Sequence, residues 1–104
     1  MIETLTELRD ILTRQGYHGQ ASVISRLVEL QEADPTEFRT LLQSVEMWGG
    51  SGAVWEVYPL GEGSRRFTQL IVQLAQEMQL SGLGTSRSQD IADTFRYWLA
   101  ARLR

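Results

Sequence analysis

The chain has 104 residues, no cysteine, ten basic residues against thirteen acidic ones, and a formal charge of −3. This length suits a single domain, 1–104, with one hydrophobic core, and the lack of cysteine excludes disulfides, thiolate metal ligands and a cysteine nucleophile. All ten basic residues are arginine, which excludes lysine Schiff-base chemistry, and the negative charge disfavours nucleic acid as a partner. Since no apolar run approaches the roughly 20 residues that span a bilayer, and the start does not resemble a signal peptide, we expect a cytoplasmic protein without membrane contact.

The first two predicted helices fill the chain up to residue 33. The first runs from about Thr4 to Gln15, because apolar residues recur there at helical spacing and Thr4 with Glu7 has the form of a capping box. The second follows a glycine-containing turn and ends by Asp34. It carries a wide apolar stripe, so we expect it to be the most buried helix.

A third helix is predicted to start directly after Asp34. An acidic N-cap followed by Pro35 is a typical helix start, because proline lacks an N–H that would go unpaired at the first helical position anyway. The apolar residues of this helix that we expect to face inward are Phe38, Leu41, Leu42 and Val45.

The stretch from Glu46 to Gly63, named here the Gly/Trp segment, separates the third and fourth predicted helices. It holds five of the nine glycines and two of the three tryptophans. Within it, Val54–Tyr58 is rich in β-branched and aromatic residues, which predicts either an ordered loop or a short β-hairpin.

Two further helices complete the chain. Ser64 is predicted to cap the fourth, which ends near Gly82, and the pattern Ser86–Gln89 has the form of a capping box for the fifth, which runs to the C-terminus. One face of the fifth helix carries Phe95 and Trp98. The predicted fold class is therefore all-α: a compact bundle of about five helices closed by the Gly/Trp segment.

The sequence contains few of the residue patterns that indicate catalysis. His18 is the only histidine, so a zinc site would depend on carboxylates alone around it. Carboxylate pairs such as Asp90 and Asp93 are common on solvated helix faces, and the glycines of the Gly/Trp segment lack the lysine and flanking elements of a phosphate-binding loop. We therefore expect no enzymatic activity, no cofactor and no metal.

The run from Trp48 to Val57, WGGSGAVWEV, resembles a bacterial domain family of unknown function. That family carries an aromatic residue, two glycines, any residue, glycine, serine, an apolar residue, asparagine and aspartate. Ala53 stands at the serine position, and Trp55 with Glu56 stands at the asparagine and aspartate positions. The resemblance implies a small intracellular bacterial protein, and proteins of this appearance are often immunity-type or antitoxin-like partners of secreted toxins.

The aromatic and acidic residues of the Gly/Trp segment predict a protein-binding surface. Aromatic anchors bordered by charge are typical of interfaces, and an acidic surface steers a basic partner. Our prediction is a non-enzymatic immunity-type protein that occludes a basic toxin domain. The predicted contact residues are Glu46, Trp48, Trp55, Glu56 and Tyr58.

Two alternatives stay open. The first is a small-ligand or enzymatic pocket beneath the Gly/Trp segment, in which Glu56 and His18 would supply the polar groups. The second is a structural homodimer that pairs through the surface of the fourth or fifth predicted helix.

Overall fold

The computed structural model describes residues 1–104 and contains helices but no strand. The helices are α1 Ile2–Arg14, α2 His18–Ala33, α3 Pro35–Leu42, α4 Val45–Trp48, α5 Glu62–Leu80 and α6 Ser86–Ala100, with a 3-10 turn at Val54–Glu56. Because α4 is a single turn, the bundle consists of five longer helices, and the predicted all-α class is confirmed. The suggested hairpin does not form: Val54–Glu56 is helical instead.

The longest helix, α5, lies at the centre of the bundle. It packs against both α1 and α6, whereas α2 covers the other side of α1 and α3 packs on α2. Seven residues of α5 are buried, against three of α2, so the prediction that the second helix is the most buried is wrong. The stripe of α2 is wide, but α2 belongs to an outer layer and part of that stripe stays at the edge of the core. No helix combines the length and the apolar character needed to cross a membrane.

The start of α1 differs from the predicted capping box. The helix begins at Ile2, and the Thr4 hydroxyl is buried and accepts a hydrogen bond from the Gln73 amide of α5 at 3.1 Å. Glu7 forms an ion pair with Arg66, also on α5. Both side chains therefore connect helices, a role that sequence spacing cannot distinguish from capping.

Of the predictions for the two ends of α3, one is confirmed and one is wrong. Asp34 caps α3 as predicted, since its carboxylate accepts a hydrogen bond from the backbone N–H of Glu37 at 3.2 Å. The helix ends at Leu42, however, and Val45, predicted to face inward, is 78% exposed at the start of α4. The interruption at Ser44 rotates the chain, so that the next turn directs its later residues into the core instead.

The N-termini of α5 and α6 lie close to the predicted positions. The N-cap of α5 is Gly61 rather than Ser64, and its φ of +63° is a conformation that favours glycine. The capping box of α6 is present but one residue earlier than predicted, since Thr85 and Ser88 exchange the two hydrogen bonds.

Candidate interaction site

The 3-10 turn of the Gly/Trp segment directs three consecutive side chains to three places. Val54 is fully buried, Trp55 lies partly exposed against α6, and Glu56 is exposed on the side of the α2 N-terminus. A 3-10 helix has three residues per turn, so neighbouring side chains diverge by about 120°. Trp55 and Glu56 are therefore separated by the turn that carries them both.

Trp48 is part of the core. Its side chain is 2% exposed, and its indole N–H donates to the carbonyl of Leu42 at 2.8 Å. Its own carbonyl accepts a hydrogen bond from the guanidinium of Arg87 at 2.9 Å. The following residue has to be glycine, because a Cβ on Gly49 would lie 2.5 Å from the carbonyl oxygen of Val45. Direct contact between Trp48 and a partner would require the core to open.

Trp55 belongs to an aromatic cluster that joins the Gly/Trp segment to α6. Its indole N–H donates to the carbonyl of Gly49 at 2.6 Å, and its ring lies 6.1 Å from that of Phe95. Phe95 in turn stacks on Trp98 at 4.9 Å with an interplanar angle of 27°. Edge and offset ring contacts of this kind stabilise the arrangement beyond simple burial, so the partly exposed rings are held in fixed positions.

A cleft of about 200 Å³ opens between the segment and α6, and we name it the Trp55–Trp98 cleft. Its lining residues are Trp55, Arg87, Asp90, Ile91, Thr94 and Trp98. The indole N–H groups of Trp48 and Trp55 both donate to carbonyls, whereas the indole N–H of Trp98 has no acceptor within the chain. The cleft is therefore lined by two indole rings and Ile91 together with the polar side chains of α6.

Tyr58 lies beside the same cluster. Its side chain is 59% exposed, and the guanidinium of Arg104 lies 4.3 Å from its ring centroid and 4.8 Å from that of Trp98. Arg104 also donates a hydrogen bond to the Thr68 hydroxyl at 3.3 Å. Burial lowers the pKa of Arg104, an effect that nearby Tyr58 opposes, but arginine keeps its charge at neutral pH. Arg104 thus ties the end of the Gly/Trp segment to both α5 and α6.

Some charged side chains in and near the cleft already have partners within the chain, and others have none. Arg87 and Arg104 lie over aromatic rings and donate hydrogen bonds within the chain. Glu46, Glu56 and Asp90 are exposed, and none of them takes part in an ion pair. Of the exposed charged residues, Arg87 and Asp90 line the cleft, whereas Glu46 and Glu56 lie outside it.

The predicted contact residues are only partly brought together. Trp55 and Tyr58 adjoin one aromatic cluster, whereas Trp48 is buried, Glu56 lies on the other side of the 3-10 turn and Glu46 lies outside the cleft.

Sequence reasoning missed the contribution of α6 to this site. Arg87, Asp90, Thr94 and Trp98 follow one another at helical spacings of three and four, and all of them line the cleft. That spacing marks a single helix face. The pattern could therefore have identified the stripe, although not the segment that packs beside it.

The small-ligand alternative placed Glu56 and His18 in one pocket. Glu56 lines a separate cavity of about 240 Å³, but His18 is exposed and does not line it. In that cavity the Gln20 amide donates to the carbonyl of Gly52, and the Tyr17 hydroxyl donates to a neighbouring carbonyl of the segment. These polar groups are engaged with the backbone and do not converge on a shared point.

Comparison of the chain with protein-family models, with curated proteins and with solved structures found no match in any of the three. The resemblance of residues 48–57 to a bacterial family therefore stays a prediction.

Proposed function

We propose that this protein is a non-enzymatic protein-binding domain that contacts its partner through the Trp55–Trp98 cleft. The observation that carries the proposal is a pair of partly exposed tryptophans that both contact Phe95 and line one cleft. Tryptophan is enriched among the residues that dominate binding energy at interfaces, especially where it lines or fills a pocket.

The size of the cleft supports a protein partner rather than a small ligand. Sites for drug-sized ligands usually enclose about 300–1,000 Å³, whereas this cleft encloses about 200 Å³, which suits a single protruding side chain. The groove of about 490 Å³ at the α5–α6 turn is larger, but it has no aromatic wall, since glycine and polar or charged residues alone line it.

The charge distribution supports a basic partner. Asp90 in the cleft and Glu46 and Glu56 outside it are exposed and form no ion pair, while Arg87 and Arg104 each donate a hydrogen bond within the chain. Complementary charge raises the rate of encounter and selects against like-charged partners. In its most concrete form, the proposal is an immunity-type protein that covers a positively charged surface of a toxin, in keeping with the family that residues 48–57 resemble.

Site-specific photo-crosslinking in the native host tests this proposal. A photoreactive amino acid replaces Thr94, an exposed residue of the cleft, and in a matched control it replaces Gln76, an exposed helical residue of α5. We expect the Thr94 derivative to crosslink one basic protein, identified by mass spectrometry, that the Gln76 derivative does not capture. A crosslink to a second copy of the chain would favour the homodimer instead, and an acidic partner or no product at position 94 would contradict the proposal.

A further inference from the structure

We propose that the Trp55–Trp98 cleft is an anchor pocket for a partner segment in which one apolar residue adjoins a lysine or arginine, with Asp90 as the acceptor for the cation. This inference rests on the proposed function and adds the chemistry of the partner segment to it.

The apolar part of the segment is indicated by the walls of the cleft. Ile91 lines the cleft together with the two indoles, and the volume of about 200 Å³ suits one leucine-sized or phenylalanine-sized side chain. The indole N–H of Trp98 has no acceptor within the chain, so it is available to a carbonyl of the partner's backbone. A buried apolar anchor with a satisfied polar rim is the arrangement found at interface hot spots.

The cation is indicated by the position of Asp90. This residue lines both the Trp55–Trp98 cleft and the polar groove of about 490 Å³ at the α5–α6 turn. The other residues of the groove are all uncharged: Gln79, Gly82, Gly84, Thr85, Ser86 and Gln89. Asp90 forms no ion pair, so a cationic side chain in the groove meets a single free carboxylate.

Arg87, the one arginine that lines the cleft, does not remove the preference of the groove for a cation. The guanidinium of Arg87 lies 5.5 Å from the ring centroid of Trp55 and donates to the carbonyl of Trp48, and Arg87 does not line the polar groove. A cation held in the groove therefore has Asp90 as the only charged residue of the lining. An acidic side chain in the groove would meet the carboxylate of Asp90, and no arginine lines the groove.

Titration with short peptides tests the inference on the whole chain. The probes are acetyl-Ser-Leu-Lys-Ser-amide, its Leu-Glu counterpart and its Ala-Lys counterpart, and the readout is the indole N–H signals in ¹H–¹⁵N spectra. We expect the Leu-Lys peptide to shift the Trp55 and Trp98 signals saturably, while the buried Trp48 signal serves as an internal reference. The Leu-Glu peptide should bind about twofold to fivefold more weakly, in the range of exposed ion pairs, and the Ala-Lys peptide should bind too weakly to saturate.

The variant Asp90→Asn provides the matched control. Asp90 is an exposed helix residue, so the substitution should leave the spectrum and the thermal midpoint unchanged but abolish the preference for lysine over glutamate. Equal binding of the Leu-Lys and Leu-Glu peptides to the unmodified chain, or no saturable shift at all, would overturn the inference. Crosslinking from position 94 would still stand in that case, so failure of the peptide preference is distinguishable from failure of the proposed function.

Discussion

Replacing each tryptophan in turn by phenylalanine should give three different losses of stability from one chemical change. In Trp48→Phe the buried carbonyl of Leu42 loses its donor, which costs about 1–3 kcal/mol, and the smaller ring leaves a void that adds about 1 kcal/mol. In Trp55→Phe the acceptor is the part-buried carbonyl of Gly49, which water can reach, so we expect about 1 kcal/mol. Trp98→Phe removes no hydrogen bond and should cost less still.

Urea unfolding followed by far-UV circular dichroism measures this series, with an unchanged m-value as the sign that both end states are preserved. For a domain of this size, the expected 2–4 kcal/mol for Trp48→Phe corresponds to a fall in the thermal midpoint of roughly 10–20 °C. The order Trp48, Trp55, Trp98 is the decisive result. A loss for Trp48→Phe no larger than that for Trp55→Phe would show that burial of the indole does not set its contribution.

Two further outcomes follow from the charged residues. The double variant Glu46→Arg with Glu56→Arg should slow association with a basic partner and weaken the salt dependence of the association rate, because both exposed carboxylates attract such a partner at long range. Stopped-flow measurements at low and high salt would show the change. An association rate equal to that of the unmodified chain at both salt concentrations would count against electrostatic steering by this surface. The hydrogen bond and charge of Arg66 lower the pKa of Glu7. The ion pair therefore stabilises the folded protein fully above the ordinary pKa of a glutamate, and this stabilisation is lost as the pH falls through the lowered pKa of Glu7. Glu7→Gln should therefore lower the free energy of unfolding by less than about 1 kcal/mol at pH 7. In urea unfolding at acid pH, the difference in this free energy between the variant and the unmodified chain should become smaller. A difference that grows towards acid pH would contradict a stabilising ion pair.

The sequence alone determined the fold class and most of the helix positions. Periodic apolar residues and local stop signals are short-range properties, so the cap at Asp34 and the end of α5 near Gly82 could be predicted from neighbouring residues. The long-range hydrogen bond of Thr4 and the exposure of Val45 could not be predicted in this way. One side chain bonds to a residue 69 positions away, and the other is turned outward by a break between two helices.

The tertiary structure decided which aromatic and charged residues share a surface. Trp48 and Trp55 lie in one short segment, yet one is in the core and the other is on a cleft, because α4 and the 3-10 turn rotate the chain between them. Trp98 and Asp90 join Trp55 only because α6 packs against that segment. A sequence records the spacing of residues along each helix, whereas the neighbours of a surface side chain depend on how separate helices pack, and that is why the cleft emerged only with the fold.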